Sequence, residues 1–517
     1  APAAPAAPAA PTKELPAEEL LQYEPLTLSN ETLALQIAPG EGAITAITLK
    51  NYLNADRSAP VKLDQIASAA TSKQLQKGMT GIFPAKSQWK LTGIAKPVFT
   101  QDSCTITRHF LTAAGQPFQL RQTWQLGSGN DLTMKAEFLN PAAAPLTLQR
   151  VVVSDGELQL WATASGDQMR IDSMKLDCYT ADGDLTDVAA DAKDSKFYRT
   201  VGDLRWLALS NKYFISLLAC DQPFQLYPER ILVPGKDEEY IVTAGAEFPA
   251  ITLPANGSAE LNFNVYAGPK IASLLRNAAP GAERTMHLAW GPLDYLARVL
   301  LWALDALKSI CGSYGWSIVI LTVIIRLLFW PLTAKANASM KKMSVVQPKI
   351  QELRQKYKDN PQMLNTKTME LYREEGINPL GGCLPILLQI PVFFALYATL
   401  DGAVELRQVS FLWAKDLAAP DTVCHLPGFL FSLPVNPLVL AMTLLMVLQQ
   451  KLTPSAMDPM QQKMMMLMPV VMLFVLYNLP SGLTLYWTVS QVFSILQLVL
   501  QKRNTAPAAA GKGIQKA

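Results

Sequence analysis

Residues 313–335 read SYGWSIVILTVIIRLLFWPLTAK, an apolar run long enough to cross a bilayer and broken by one charge, Arg326. At a rise of about 1.5 Å per residue, Arg326 stands roughly 13 Å from the next basic residue, Lys335, and so well inside a hydrocarbon layer. A charge at that depth costs at least ~2.5 kcal/mol and is read as a functional site whose partner has to be found. Two readings follow: the guanidinium bends back to the headgroups, or it faces a wet, functional space.

The rest of the chain is two unlike halves. Before about Gly291 the sequence alternates short apolar and polar stretches; after it come long apolar runs separated by charged clusters. The net charge of +3 over 517 residues is too small to suggest nucleic acid as the main partner, and no DNA partner is expected. Six cysteines (104, 178, 220, 311, 383 and 424) show no metal-binding or redox spacing, and no disulfide is expected.

Residues 1–22 begin APAAPAAPAAP, an extended Ala/Pro tether that implies an attachment at each end, so a membrane anchor ahead of it is expected in the intact protein. Residues 23–275 carry a period of two. Leu33-Ala-Leu-Gln-Ile37, the turn Pro39-Gly40-Glu41-Gly42 and residues 44–49 form one hairpin signal, and residues 118–126 and 132–139 around Gly127-Ser-Gly-Asn-Asp131 form another. Many such strands predict a large antiparallel all-β sandwich. Its only histidine, His109, stands apart from any catalytic constellation, so a structural or docking role is expected there.

The linker 276–312 ends in a helical period. Asp294, Arg298, Asp305 and Lys308 project within a narrow arc, with Leu and Trp around the remainder, as in a helix lying in the membrane interface. After the Arg326 span (313–334), residues 335–378 carry nine Lys/Arg against five Asp/Glu, which places this segment in the cytoplasm. Helices are predicted over 345–358 and 363–375, broken at Asp359-Asn-Pro361 and stopped by Gly376; two such helices make an antiparallel hairpin across 335–379. Its basic residues Lys341, Lys342, Lys349, Arg354 and Lys356 suit membrane lipid headgroups or an RNA-rich partner such as a ribosome.

Residues 380–503 hold four more apolar runs, 381–400, 428–448, 464–479 and 483–500, giving five spans in this chain. The loop 401–427 is acidic, whereas 449–463 and the tail 504–517 lean basic. The β domain and the loop 401–427 are therefore expected outside, the hairpin and C-terminal tail inside.

None of the five runs contains Asp, Glu or His, so Arg326 has no acidic partner within them and water must reach it. Thr322 lies one turn before Arg326, Thr484, Thr488 and Gln491 form a polar stripe on the last span, and Gln389 adds a polar group to the second; together they predict a hydrated groove. Met457, Met460, Met464, Met465, Met466, Met468 and Met472 crowd one loop and span, an adaptable apolar surface. A positive groove beside such a surface fits a nascent transmembrane helix.

Four stretches resemble a known family: Arg326-Leu-Leu-Phe-Trp-Pro331; Asn378-Pro-Leu-Gly-Gly-Cys-Leu-Pro385 with Gln389-Ile-Pro391; Asp458-Pro-Met-Gln-Gln-Lys463; and Leu479-Pro-Ser-Gly-Leu483 with Leu485-Tyr-Trp487. They are similar to the YidC-type membrane protein insertases of bacteria, which are related to the mitochondrial oxidase-assembly and chloroplast insertases. The resemblance implies a mutarotase-like periplasmic β supersandwich, a multi-pass helical core in the bacterial inner membrane and an insertase that hydrolyses no ATP. It also implies that the protein uses no cofactor or metal and acts alone or beside the Sec translocon on nascent membrane proteins. Groove and substrate-contact positions carried over by the resemblance are Arg326, Thr322, Gln389, Phe393 and Tyr486; Trp487 stands where relatives often have tyrosine. The competing class, a solute transporter or channel, usually carries intramembrane carboxylates or histidines and inverted repeats, and neither is seen. No enzyme motif for phosphate, metal or acyl transfer appears.

Overall fold

The computed structural model describes residues 24–40, 42–54, 57–63, 81–84, 89–156, 175–189, 203–232, 240–286, 288–289, 291–358, 360–376, 384–426, 433–453 and 459–504. The Ala/Pro tether 1–22, the motif residues 378–383, Met457, Asp458 and the tail from residue 505 lie outside them. The chain divides into two compact units, Ala1–Met286 and His287–Ala517.

In the first unit, period-two sequence becomes two antiparallel sheets. Strand Pro117–Leu126 buries Phe118, Leu120, Gln122, Trp124 and Leu126 and turns the residues between them outward. It pairs with Ser103–Thr112 and with Asp131–Leu139, which in turn pairs with Ser258–Pro269. A second sheet pairs Leu33–Ala38 with Ala43–Leu53 and Leu146–Gly156 with Tyr240–Leu253. The long strand Phe214–Leu232 serves both: its first half pairs with Ser258–Pro269 and its second half with Tyr240–Leu253. The core is aromatic, with the Trp89 ring edge-on to Phe118 at 5.0 Å and to Phe138 at 6.4 Å.

Arg108 is one of the charged residues buried in this unit. Arg108 Nη2 donates to Gln122 Oε1 at 2.7 Å, Gln122 Nε2 donates to the Gly42 carbonyl at 2.9 Å, and the guanidinium lies 5.2 Å from the Phe110 ring centre. Gly42 sits at φ +61°, and a Cβ there would lie 2.4 Å from both Arg108 Cζ and Gln122 Oε1. Glycine is required twice over, for the left-handed turn and for the close approach. A short helix, α1 (Ala272–Ala278), follows the last strand of the unit.

The second unit contains α2 (Pro292–Cys311), α3 (Tyr314–Leu328), α4 (Trp330–Lys356), α5 (Pro361–Glu374), α6 (Leu384–Gly402), α7 (Pro437–Leu452), α8 (Pro459–Leu476) and α9 (Ser481–Asn504). Gly312 caps α2 in the left-handed region, and the chain bends by 118° into α3. Helix α2 buries Ala297, Leu300, Leu301 and Leu304 while exposing Tyr295, Val299, Trp302 and Ile310. Within its predicted polar arc Arg298 pairs with Asp294 at 2.7 Å, and Asp305 accepts from Tyr314 Oη at the start of α3 at 2.9 Å.

Two element boundaries differ from the sequence expectation. The first hairpin helix begins at Trp330 rather than near residue 345, because Pro331 occupies the opening turn of α4, where its missing N–H is harmless. Nothing in Ala334-Lys-Ala-Asn-Ala338 then interrupts the helix, and Pro348 is carried within it. Within the described part of the apolar run 428–448, which starts at residue 433, the helix begins at Pro437. Before it, Leu433–Val435 pairs as a short strand with Cys424–Leu426, since a residue preceding proline is driven to extended backbone and Asn436 obeys.

By length and composition, α9 alone qualifies as a membrane-crossing helix among the described residues, over Ser481–Gln501. Helices α2 and α3 qualify only as a bent pair, and Pro437–Leu452 and Met464–Leu476 are shorter apolar helices.

The loop after α6 gathers helix ends. Asp421 Oδ2 accepts from Leu438 N in the first turn of α7 at 2.6 Å, Ser481 N at the start of α9 donates to Ala419 O at 2.7 Å, and Asn436 Nδ2 donates to Tyr477 O just past α8 at 2.8 Å.

Candidate functional site

Helix α3 holds its own hydroxyls: Ser317 Oγ donates to Ser313 O at 2.9 Å and Thr322 Oγ1 to Ile318 O at 2.6 Å. Such back-bonding lets a hydroxyl sit in an apolar helix without an external partner. Thr322 is therefore buried and self-satisfied, one turn from Arg326 but giving it no hydrogen bond. One side of α3, with Trp316, Ile320, Ile324, Leu327 and Leu328, is exposed and wholly apolar.

Arg326 itself is half-buried. Its Nε is enclosed without a hydrogen-bond partner, and no ion pair forms at it among the described residues. Tyr486, buried on α9, is the titratable side chain near it. Tyr486 Oη also receives a long hydrogen bond from Gln389 Nε2 of α6, at 3.5 Å. Phe393, one turn further along α6, meets the Trp487 ring edge-on at 5.0 Å, and Trp487 packs in turn on a cluster of Val439, Met442 and Leu476 from α7 and α8. The structure thus brings Arg326, Gln389, Phe393, Tyr486 and Trp487 to neighbouring positions on three helices.

The polar stripe of α9 turns elsewhere. Thr484 Oγ1 donates to Ser481 O at 3.0 Å, while Thr488 Oγ1 donates to Thr484 O at 2.7 Å and reaches Leu438 O of α7 at 3.5 Å. Gln491, buried, follows at helical spacing on that same side. The side carrying Tyr486 continues through Ser490, Phe493 and Gln497, at i+4, i+7 and i+11. Phe493 meets the Trp330 ring edge-on at 5.5 Å, and Gln497 Nε2 donates to Thr333 Oγ1 at 2.9 Å, so this side lies along α3 and the start of α4. Ser490 Oγ is enclosed there without a hydrogen-bond partner, a second orphan on the side of α9 that faces the arginine helix. Ser490 and Gln497 were not anticipated from sequence; extending the Tyr486 position by helical turns would have found both.

The basic helices form a separate cluster. Val346 and Ile350 of α4 pack with Met343, Leu371 and Tyr372, Lys349 Nζ pairs with Glu375 at 2.6 Å, and Asn360 caps α5 by accepting from Met363 N at 3.0 Å. Contacts late in α4 with the end of α5 make the two helices antiparallel. Lys341, Lys342 and Lys356 are exposed and Arg354 is half-buried. On α8, Met464, Met465, Met466, Leu467, Met468 and Phe474 are exposed, an apolar surface over the later part of the helix.

Comparison with known proteins gives the family. Residues 25–303 match the family model described as "YidC periplasmic domain" and residues 306–508 the one described as "60Kd inner membrane protein". A "Membrane protein insertase YidC" of Pelobacter propionicus is 34% identical over 477 residues, covering 88% of this chain and 82% of its own length. The chain belongs to the YidC family of membrane protein insertases. Other curated relatives of that description align over shorter stretches, from 50 to 64% of their own length. Among solved structures, a YidC insertase crystal structure "with the first transmembrane domain resolved" is similar over 93% of this chain and 92% of its own, at 18% identity and TM-score 0.38. A galactose mutarotase-like protein from Lactobacillus casei is similar over 47% of this chain and 100% of its own, at 12% identity and TM-score 0.31. As a YidC-family member this is an inner-membrane protein with a periplasmic β domain and a helical core.

Proposed function

We propose that the helical unit inserts nascent transmembrane segments by admitting their polar flank to a hydrated, positively charged groove lined by Arg326, Gln389, Tyr486 and Ser490. The observation that carries this reading is the unpartnered Arg326 Nε beside a buried tyrosine, with a second orphan, Ser490 Oγ, on the adjacent helix. A charge without a protein partner is too costly in a dry interior, so water, and in turn a substrate's acidic or polar segment, supplies its hydration. The apolar segment of the guest then slides into lipid along the exposed face of α8, driven by its own hydrophobic partitioning. Phe393 and Trp487 form the edge between groove and lipid, and no nucleotide hydrolysis is required.

In this reading α3, α6, α7, α8 and α9 are five spans. Alternation supports it: the loop after α6 ties together the starts of α7 and α9 and the end of α8. The β unit and that loop lie outside, while the α4–α5 hairpin and the tail lie in the cytoplasm. Helix α2 lies in the interface, its exposed Tyr295, Val299, Trp302 and Ile310 towards lipid. The exposed Lys341, Lys342 and Lys356 suit anionic lipid or a ribosome at the entry side, and action beside the Sec translocon fits the same orientation. The protein alone in liposomes should render a small one- or two-span substrate protease-protected. Protection no greater than in empty liposomes contradicts autonomous insertion.

A further inference from the structure

Helix α4 has two separate places to pack. Its far half buries Val346 and Ile350 against α5, and its base buries Ala336, while none of the side chains from Asn337 to Val345 is buried. Phe329 alone separates its start from the end of α3, and no side-chain cap fixes that junction. With a single residue at the joint, the direction in which the hairpin leaves depends on what the first turns of α4 touch.

They touch α9 in three rungs. The Trp330 ring meets Phe493 edge-on at 5.5 Å. Gln497 Nε2 donates to Thr333 Oγ1 at 2.9 Å and reaches the Trp330 carbonyl at 3.4 Å, and the Thr333 hydroxyl lies 3.1 Å from Gln497 Oε1. Asn337 Nδ2 donates to Gln501 Oε1 at 3.2 Å. Positions 330, 333 and 337 thus meet 493, 497 and 501 in rising order, so the two helices run parallel here and each rung lies one turn beyond the last. Gln497 is buried, where a carboxamide is costly unless its groups are bonded. Apolar contacts let two helices slide and rotate past each other, whereas a carboxamide that engages a hydroxyl and a backbone carbonyl fixes register and rotation together. The side of α9 that carries these rungs also carries Tyr486 and Ser490. Thr333 to Lys356 is a lever of about 35 Å at ~1.5 Å per residue, so a tilt of about 10° at the base carries its end about 6 Å.

We propose that Thr333 and Gln497, supported by Asn337 and Gln501, are positioning residues for insertion: they clamp the base of the α4–α5 hairpin to the Tyr486 side of α9, so that a substrate met by the hairpin is presented at the mouth of the groove. This role rests on the insertase reading above and supplies what that reading leaves open, the aim of the hairpin.

The test uses the full chain in liposomes, with spin labels at Lys358→Cys beyond the end of α4 and Lys451→Cys at the end of α7, both exposed, in a cysteine-free background. Protease-protected insertion of a one-span substrate is followed in parallel samples. Wild-type protein should show one preferred label-to-label distance. Thr333→Val, nearly the same shape without the hydroxyl, and Gln497→Leu should shift or broaden that distance by about 6 Å or more. Both should lower the maximal insertion rate at least about threefold while leaving the half-saturating substrate concentration unchanged. Thr333→Ser, which keeps the hydroxyl, should match wild type in both readouts, and the double variant Thr333→Val/Gln497→Leu should be no worse than either single one, because the two side chains act as a pair. Should Gln497→Leu fail to fold, Thr333→Val decides the matter alone. A wild-type hairpin with no preferred distance, or an unmoved hairpin in the folded variants, overturns the clamp whether or not insertion slows; a displaced hairpin with insertion at the wild-type rate overturns its role. A wild type that inserts nothing while the variants displace the hairpin contradicts the insertase reading and leaves the clamp standing.

Discussion

Arg108 and Arg326 are both withdrawn from bulk water, and the difference between them separates the two halves of the molecule. In the β unit Arg108 is fitted into its surroundings: Gln122 accepts from it, Gly42 holds Gln122, and Phe110 lies beneath the cation. In the helical unit Arg326 has the buried Tyr486 near it and, among the described residues, forms no ion pair. A charge built into a network stabilises a fold, whereas a charge left without one is kept for something that comes and goes. The first kind should fail as stability and the second as activity.

The largest effect expected from breaking this contrast is at Arg326. Arg326→Ala should lower insertion of an acidic-tailed substrate at least about tenfold, about 1.4 kcal/mol of lost stabilisation. Its melting temperature should stay equal or rise, because an unpaired buried charge is removed. Next comes Gly42→Ala, which loses the left-handed turn and drives a methyl into Arg108 and Gln122. It should destabilise the β unit by about 2–4 kcal/mol in calorimetry or denaturant melts, with insertion of a one-span substrate retained.

A smaller, pH-dependent effect is expected at Glu405, in the short turn Val404–Leu406 after α6. Burial above all, and then the field of Asp305, push its carboxyl from 4.5 up to about 7, and its Oε2 is enclosed without a hydrogen-bond partner. The folded state therefore holds this proton where the unfolded chain has lost it. Its contribution to stability is fully present below about pH 4.5, falls as pH rises towards 7, and is flat above. Glu405→Gln should remove that slope and be more stable than wild type at pH 8 by about 1–3 kcal/mol. The smallest effect belongs to Lys349→Ala: its pair with Glu375 is largely exposed, so thermal stability should change by less than about 1 kcal/mol.

Much of the site was legible in the sequence because membrane helices write their chemistry as exceptions. One arginine among apolar residues, and Gln389 in an otherwise greasy run, stand out without any coordinates. Phe393 and Tyr486 came instead from the family resemblance, and the structure places both beside Gln389 and Trp487. Polarity alone did not show which side each group takes: the hydroxyls of Thr484 and Thr488 are spent on their own helix and on α7, while Ser490 and Gln497 share the side of Tyr486. Hydropathy also passed over Pro434 and the Asn436-Pro437 step, which keep residues 433–436 of the run 428–448 extended ahead of the helix. The pairing of Thr333 with Gln497 was illegible for another reason. The partners lie far apart in sequence, and each reads as an ordinary polar side chain near a span's end until the other is found against it.

The account stands on the claim that the space beside Arg326 is wet. Ser490→Cys in a cysteine-free background, reconstituted in vesicles, tests it directly through its reaction with a membrane-impermeant thiol reagent, with Lys341→Cys as the exposed reference. A hydrated groove predicts labelling of both positions from the same side of the membrane, and faster labelling at Ser490→Cys by an anionic reagent than by a cationic one while Arg326 is present. No labelling at Ser490→Cys while Lys341→Cys reacts fully would mean a dry interior and would contradict the account.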